Sequence, residues 1–216
     1  MFRRSSKDLI RDGLLRRFEL AKIIAGVDEL DEDTHLQFVE QTQQAADLIL
    51  SVVKSGNKIL IFGNGGSAAE AQHFSGDLVG RFKRNRPPIP AIALTTDTSI
   101  LTAQANDCGF DTIFSRQVEA LCRPDDVVIG ITTSDADEAE EHSRNVLKGL
   151  QAARLKGAKS VGFFSAKTKN LLNLADVPLV VPYTSHDLIQ EVHLMVVHLI
   201  CEVLETSLYE VIASSS

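Results

Sequence analysis

Cysteine is scarce and forms no recognisable pattern. Cys108, Cys122 and Cys201 are widely spaced, odd in number and without a CxxC pair, which excludes a disulfide frame and a cysteine zinc site and leaves reduced, mostly buried thiols. Long apolar runs are missing too. No stretch approaches the roughly 20 apolar residues a membrane span requires, and Arg3 and Arg4 are followed by no apolar signal core, so a cytoplasmic protein is expected. Positive charge is outweighed: the formal net charge is -7 at pH 7 and the pI is near 5.4, against any general affinity for nucleic acid or anionic membrane. A small anionic ligand must then be met by specific donors. The chain holds no GxSxG elbow and no P-loop, and it has no internal repeat or low-complexity linker. Only residues 214–216 read as a frayed tail.

At 216 residues and 44% hydrophobic, the chain can bury one substantial core. From residue 58 onward, short β-rich runs alternate with helical patterns: KILIFG (58–63), PAIALTT (90–96), DVVIGITT (126–133), SVGFF (160–164) and VPLVV (177–181). Strands apolar on both faces are covered by helices on both sides, which predicts a three-layer α/β/α sandwich with a five-stranded parallel sheet. Ligands of such sheets lie beyond the strand C-terminal ends. Two helices are expected ahead of the sheet, near 7–25 and 33–55, and a third near 188–208. The last is apolar around most of its circumference, which suggests burial between subunits.

The strongest local signal is GNGGSAAEAQHF, residues 63–74, directly after the first strand and opening a helix. Gly65 and Gly66 permit a tight turn, and N–H groups at the helix start together with the Ser67 hydroxyl make an anion site; turn chemistry alone explains the glycines but not Asn64 and Ser67. Gly63, Gly65 and Ala68 also mimic a dinucleotide loop, but the acidic residue expected at the end of the second strand is replaced by LTTD. Thr132, Thr133 and Ser134 follow the third strand and so reach the same sheet edge. Ordinary strand-end and cap residues are the bland alternative; two such loops together fit a grip on one phosphate.

His73 and Asp77, four apart, share one face of the helix after the glycine loop, a spacing that suits a metal. On the last helix Gln190, Glu191, His193 and His198 interrupt an otherwise apolar surface. Polar groups in such a setting need partners or a purpose, acid–base or metal. His35 and His142 stand in polar neighbourhoods and read as solvated, and His186 has a weaker case than the histidines of the two helices.

These segments resemble the phosphoheptose (sedoheptulose-7-phosphate) isomerases of the sugar isomerase (SIS) domain superfamily. The resemblance runs from about residue 36 to 208 and rests on GNGGSAAEAQHF, the GRF and NRPPIPAIALTTD pieces (80–97), AND with GF close behind (105–110), IFSRQVEAL (113–121), GITTS (130–134) and IQEVHLMVVH (189–198). It implies a helical extension over 1–35 and a SIS-type domain over 36–210. It also implies a homotetramer with the N- and C-terminal helices packed between subunits, active sites at the interfaces, and one zinc ion per subunit. The implied reaction converts sedoheptulose 7-phosphate into D-glycero-D-manno-heptose 7-phosphate by proton transfer through an ene-diol, toward lipopolysaccharide-type glycans. Carried over by motif, Asn64, Gly65, Gly66, Ser67, Thr132, Thr133 and Ser134 hold the phosphate end. Arg81, Asp107, Asp187 and Gln190 meet substrate or order the site. The implied metal set is His73, Asp77, Gln190 and His198, with Asp77 and His198 also the acid–base pair and His193 a supporting residue. On one ideal helix Gln190 and His198 stand roughly 12 Å apart along the axis, so a shared ion requires both side chains extended or two subunits.

Two departures bear on activity. The family carboxylate is glutamate where Asp77 stands in HFSGDL; its oxygen is retracted by about 1.5 Å, a displacement that can cost on the order of 100-fold in rate. The family pattern STSGNS becomes TTSDADEAEEHS, longer and bearing Asp135, Asp137, Glu138, Glu140 and Glu141 near the phosphate site. Carboxylates there weaken phosphate binding unless they point outward or start the next helix, and Ser143 is the candidate for the last loop serine. The alternatives are a non-catalytic SIS-domain relative of the replication-initiator-binding type, an isomerase with an altered sugar-phosphate substrate, and, last, a sugar-phosphate-sensing regulator.

Overall fold

The computed structural model describes residues 6–27, 32–136 and 142–213. The chain forms two compact units, Met1–Glu40 and Gln41–Ser216, dividing five residues beyond the boundary expected from the sequence. The first unit contains α1 (Ser6–Ala25) and the start of α2 (Glu32–Lys54). In it Leu20 and Ile24 are buried, whereas Leu9, Ile10, Leu14, Leu15 and Phe18 are exposed. His35 Nδ1 lies 2.7 Å from the Ile24 carbonyl, so this histidine is anchored to the end of α1 rather than simply solvated.

The second unit is the expected α/β domain. Strands β1 (Ile59–Gly63), β2 (Ala91–Ala93), β3 (Val127–Ile131), β4 (Lys159–Ser165) and β5 (Val177–Val181) alternate with α3 (Gly66–Val79), α4 (Thr98–Cys108), α5 (Ile113–Leu121), α6 (Arg144–Leu155) and α7 (His186–Ala213). All pairings are parallel, in the order β2-β1-β3-β4-β5. Every residue of β1 and β3 is buried, which is why these strands read as continuous apolar runs rather than alternating ones. Asp126, itself buried, fixes the start of the two central strands. It accepts the N–H groups of Lys58 at 3.0 Å and Arg123 at 2.7 Å and pairs with the Lys58 ammonium at 2.5 Å. Burial pulls the Asp126 carboxyl upward, but these hydrogen bonds outweigh it and hold the group below the usual carboxylate range.

The strand order reverses between β1 and β3, so chain connections leave the sheet in opposite directions there and open a crevice at the strand C-terminal ends. Helix α7 is more deeply buried within its own chain than its composition suggested: Leu188, Ile189, Val192, Val196, Val197, Ile200 and Leu204 are buried, and Met195 and Leu199 are left exposed. Among the described residues no helix is long and apolar enough to cross a membrane. Cys122 and Cys201 are buried, Cys108 is exposed, and all three are free.

Candidate active site

A cavity of about 570 Å³ opens at the β1/β3 crevice. Its floor is the turn after β1, with Asn64, Gly65, Gly66 and Ser67, and its wall is the segment after β3, with Thr132, Thr133 and Ser134. Gly65 takes the cap position of α3 at φ 55, a left-handed conformation that favours glycine. Asn64 and the buried Asn145 exchange two side-chain hydrogen bonds of 2.8 Å, tying the glycine turn to the start of α6. The Thr132 hydroxyl donates to the Ser134 carbonyl and accepts the Ser134 N–H, both at 3.1 Å. It therefore shapes its loop, while Ser67, Thr133 and Ser134 bring their hydroxyls to the cavity lining.

Two histidines that drew little weight in the sequence also line the cavity. His186, the first residue of α7, has Nδ1 2.6 Å from Thr133 Oγ1, and His142 stands beside Ser143 on the rim. Nothing local marks them; their place follows from where the ends of β3 and β5 bring the two segments. Asp135 turns elsewhere. Its carboxylate accepts the N–H groups of Asn170 at 3.0 Å and Leu171 at 3.4 Å, capping the short turn Leu171–Leu174 outside the cavity. Asp137, Glu138, Glu140 and Glu141 lie outside the described residues.

Helices α3 and α7 run side by side in parallel, and successive turns of one meet successive turns of the other. Gly66 faces Gln190: a Cβ at Gly66 would lie 2.3 Å from Gln190 Nε2. One turn on, Glu70 faces His193, at 3.7 Å. Next, His73 Nε2 lies 3.0 Å from His198 Nε2, and Asp77 Oδ2 lies 3.2 Å from His73 Nε2 and 3.9 Å from His198 Nε2. Gly66→Ala is expected to leave the melting temperature near parental, because the Gln190 amide can swing aside, but to raise KM for a ligand in the cavity; thermal unfolding beside steady-state kinetics separates the two.

His73 and Asp77, paired by their spacing, converge with His198, which the resemblance added to them. The Gln190 amide lies against Gly66 and lines the cavity, about two turns of α7 before His198. The three donors fit a metal. Ligands about 2.0–2.2 Å from a tetrahedral zinc ion stand roughly 3.3 Å from each other, Asp77 Oδ2 is buried with no hydrogen-bond partner, and both histidines are half-exposed, which leaves a side open for substrate. The neighbouring Cys201 thiol is pushed up to about 12, by burial first and the Asp77 charge second, and so stays protonated. Phe82 stacks on His198 at 5.4 Å. Its segment is held by Glu205, which accepts the N–H groups of Phe82, Lys83 and Arg84 at 3.0–3.1 Å and pairs with Arg86 at 3.0 Å. Arg81 and Asp107 are exposed and lie outside the cavity, as does Asp187, whose carboxylate accepts the Ser185 hydroxyl at 2.5 Å.

Comparison with known proteins gives this arrangement a family. The sequence model of the SIS domain matches residues 25–165. The phosphoheptose isomerase of Aquifex aeolicus is 49% identical over 173 residues, covering 80% of this chain and 87% of that protein. Phosphoheptose isomerase structures from Neisseria gonorrhoeae and Francisella tularensis are 33% and 32% identical, with TM-scores of 0.80 and 0.82; each match covers 94% of this chain and all of the other. The chain belongs to the SIS domain family and, within it, to the phosphoheptose isomerases.

Proposed function

We propose that this protein interconverts sedoheptulose 7-phosphate and D-glycero-D-manno-heptose 7-phosphate, supplying heptose for lipopolysaccharide-type glycans. The observation that carries this reading is one helix, α3, with the glycine turn and Ser67 of the cavity at its start and the carboxylate and histidine cluster about two turns further on. Ser67 and His73 are six residues apart, about 9 Å along the axis, so an extended sugar phosphate can be gripped at one end and reacted at the other. Holding the remote phosphate supplies binding energy that positions the reactive carbons.

From the ketose, a base removes a proton from C1, the electrons form a C1–C2 double bond, and the C2 oxygen takes up a proton to give the ene-diol. A proton then returns to C2 and the C1 hydroxyl gives up its own, leaving the aldehyde. Asp77 and His198 are the pair assigned to these transfers, and Gln190, in the cavity lining, is assigned to a substrate oxygen. A zinc ion held by His73, Asp77 and His198 would supply Lewis-acid stabilisation of the charge that develops on the C1 and C2 oxygens. Arg81, Asp107 and Asp187 are assigned to substrate hydroxyls or to ordering the site in a cytoplasmic homotetramer. The apolar residues exposed on α1, with Met195 and Leu199 of α7, support subunit association.

Two assays test the phosphate end. Sedoheptulose without its phosphate is expected not to be turned over, and equal turnover of both sugars would overturn the reading. Thr133→Val removes one hydroxyl at constant shape. A hydrogen bond to a charged group is worth about 1.5–3 kcal/mol, so KM for the sugar phosphate is expected to rise at least about tenfold.

A further inference from the structure

Between the phosphate turn and the His73, Asp77 and His198 cluster lies a pair of buried polar side chains to which the reaction assigns nothing. Glu70 is 6% exposed and His193 is fully buried. Neither oxygen of Glu70 nor Nδ1 of His193 has a hydrogen-bond partner, and Nδ1 lies 3.7 Å from Glu70 Oε2. The other ring nitrogen, Nε2, lies 3.0 Å from the Phe164 carbonyl in β4. A carbonyl only accepts, so Nε2 carries a hydrogen. Nδ1 and Glu70 can then attract each other only through one further proton, whichever of the two holds it. Two lone pairs facing each other in so buried a place would leave a charge without compensation.

The placement of this pair gives it a consequence. It is the middle rung between Gly66 facing Gln190 and His73 facing His198, and through Nε2 it also fastens α7 to the sheet. The His193 ring packs on Phe163, with centroids 5.6 Å apart, so its rotation is fixed. We propose that Glu70 and His193 are positioning residues that set the register of α3 against α7, and thereby hold the Nε2 atoms of His73 and His198, 3.0 Å apart, close enough to share one ion or one substrate oxygen. Neither residue touches substrate. Removing the shared proton lets the two helices slide or splay, which loosens the cluster and leaves Ser67 and Thr133 at the other end in place.

The test compares Glu70→Leu with Glu70→Gln in the full chain. Leucine fills the volume but strands Nδ1, whereas the glutamine amide donates to Nδ1 and restores the rung without charge. In Glu70→Leu, zinc affinity, read by competition with a chromophoric chelator, is expected to fall about 10–100-fold, the range for a residue supporting metal ligands. Its kcat is expected to fall while KM stays near parental, and Glu70→Gln is expected to recover both. A folded Glu70→Leu protein with parental zinc affinity and kcat overturns the proposal, as does a Glu70→Gln protein impaired as far as Glu70→Leu. The kcat readout rests on the isomerase reading; the zinc readout does not, so the two can fail separately. Where Glu70→Leu does not fold or the parent takes up no zinc, histidine-selective ¹⁵N NMR of the parent and Glu70→Gln decides. An exchange-protected Nε2–H on His193 in both, with the His73 and His198 signals unmoved between them, is expected; an Nε2 without a hydrogen, or displaced His73 and His198 signals in Glu70→Gln, overturns the proposal.

Discussion

Replacing Asp77 by Asn is expected to lower kcat for heptose phosphate isomerisation by about 10²–10⁴-fold, the contribution of a positioned acid–base group, with His198→Ala falling in the same range. The geometry explains why both belong to one unit. Asp77 Oδ2 lies within 3.9 Å of both histidine Nε2 atoms, so a single substitution disturbs any ion and any proton transfer there. Effects of residues acting as a unit are not additive, and the Asp77→Asn/His198→Ala double variant is expected to be little worse than either single one. Zinc affinity is expected to fall in each, whereas binding of inorganic phosphate, read by competition, remains parental because the cavity is built from other residues. With Asp77 Oδ2 already 3.2 Å and 3.9 Å from the two histidine Nε2 atoms, Asp77→Glu is expected to give no gain in kcat. A rise in kcat on that change would mean that the cluster is too wide for aspartate.

The second large effect is on stability. Glu205→Ala is expected to cost about 3–5 kcal/mol, the range for breaking a buried ion pair from one side. Arg86 and Glu205 are each only 2% exposed at the side chain; the change strands the three N–H groups that the carboxylate accepts and takes the counter-charge from a guanidinium left with the carbonyls of Asp77, Leu78 and Pro87. Urea unfolding measures the loss. The pH dependence has a definite sign. Burial pulls the Glu205 carboxyl upward, but the N–H groups of Lys83, Phe82 and Arg84 and the Arg86 side chain hold it below the ordinary glutamate value. A carboxyl depressed in the folded state contributes stability that is fully present above its unfolded value of about 4.3 and is lost as pH falls through the folded one. The parent is therefore expected to lose stability below about pH 4.3 more steeply than Glu205→Gln. Because Phe82 stacks on His198, the same variant is expected to lower kcat as well.

The sheet was legible because its strands β1 and β3 are buried on both faces, and an uninterrupted apolar run of five residues between turn signals has few other uses. The phosphate turn was legible because glycine, asparagine and serine at a strand-to-helix junction serve the backbone and an anion together. The three-donor cluster was legible only in halves. His73 and Asp77 follow from spacing on α3, whereas His198 meets them only through the parallel packing of α3 on α7, which also sets the Gln190 amide against Gly66 at the cavity. His186 and His142 were not legible at all, since a histidine outside a periodic pattern reveals its role only through its neighbours in space. The same holds for Glu205, whose partners lie about 120 positions away, and for Asp135, whose carboxylate spends its hydrogen bonds on the turn after β4. Apolarity likewise reads the burial of α7 without distinguishing a helix packed within its own chain from one packed between subunits.

The most direct measurement is incubation of the zinc-loaded protein with sedoheptulose 7-phosphate in D₂O, followed by ¹H and ¹³C NMR of the product. Formation of D-glycero-D-manno-heptose 7-phosphate carrying solvent deuterium at C2, and its absence with Asp77→Asn, is the expected result. A folded, zinc-loaded protein that leaves the ketose unchanged and undeuterated at C1 would contradict the assignment of isomerase chemistry to this site.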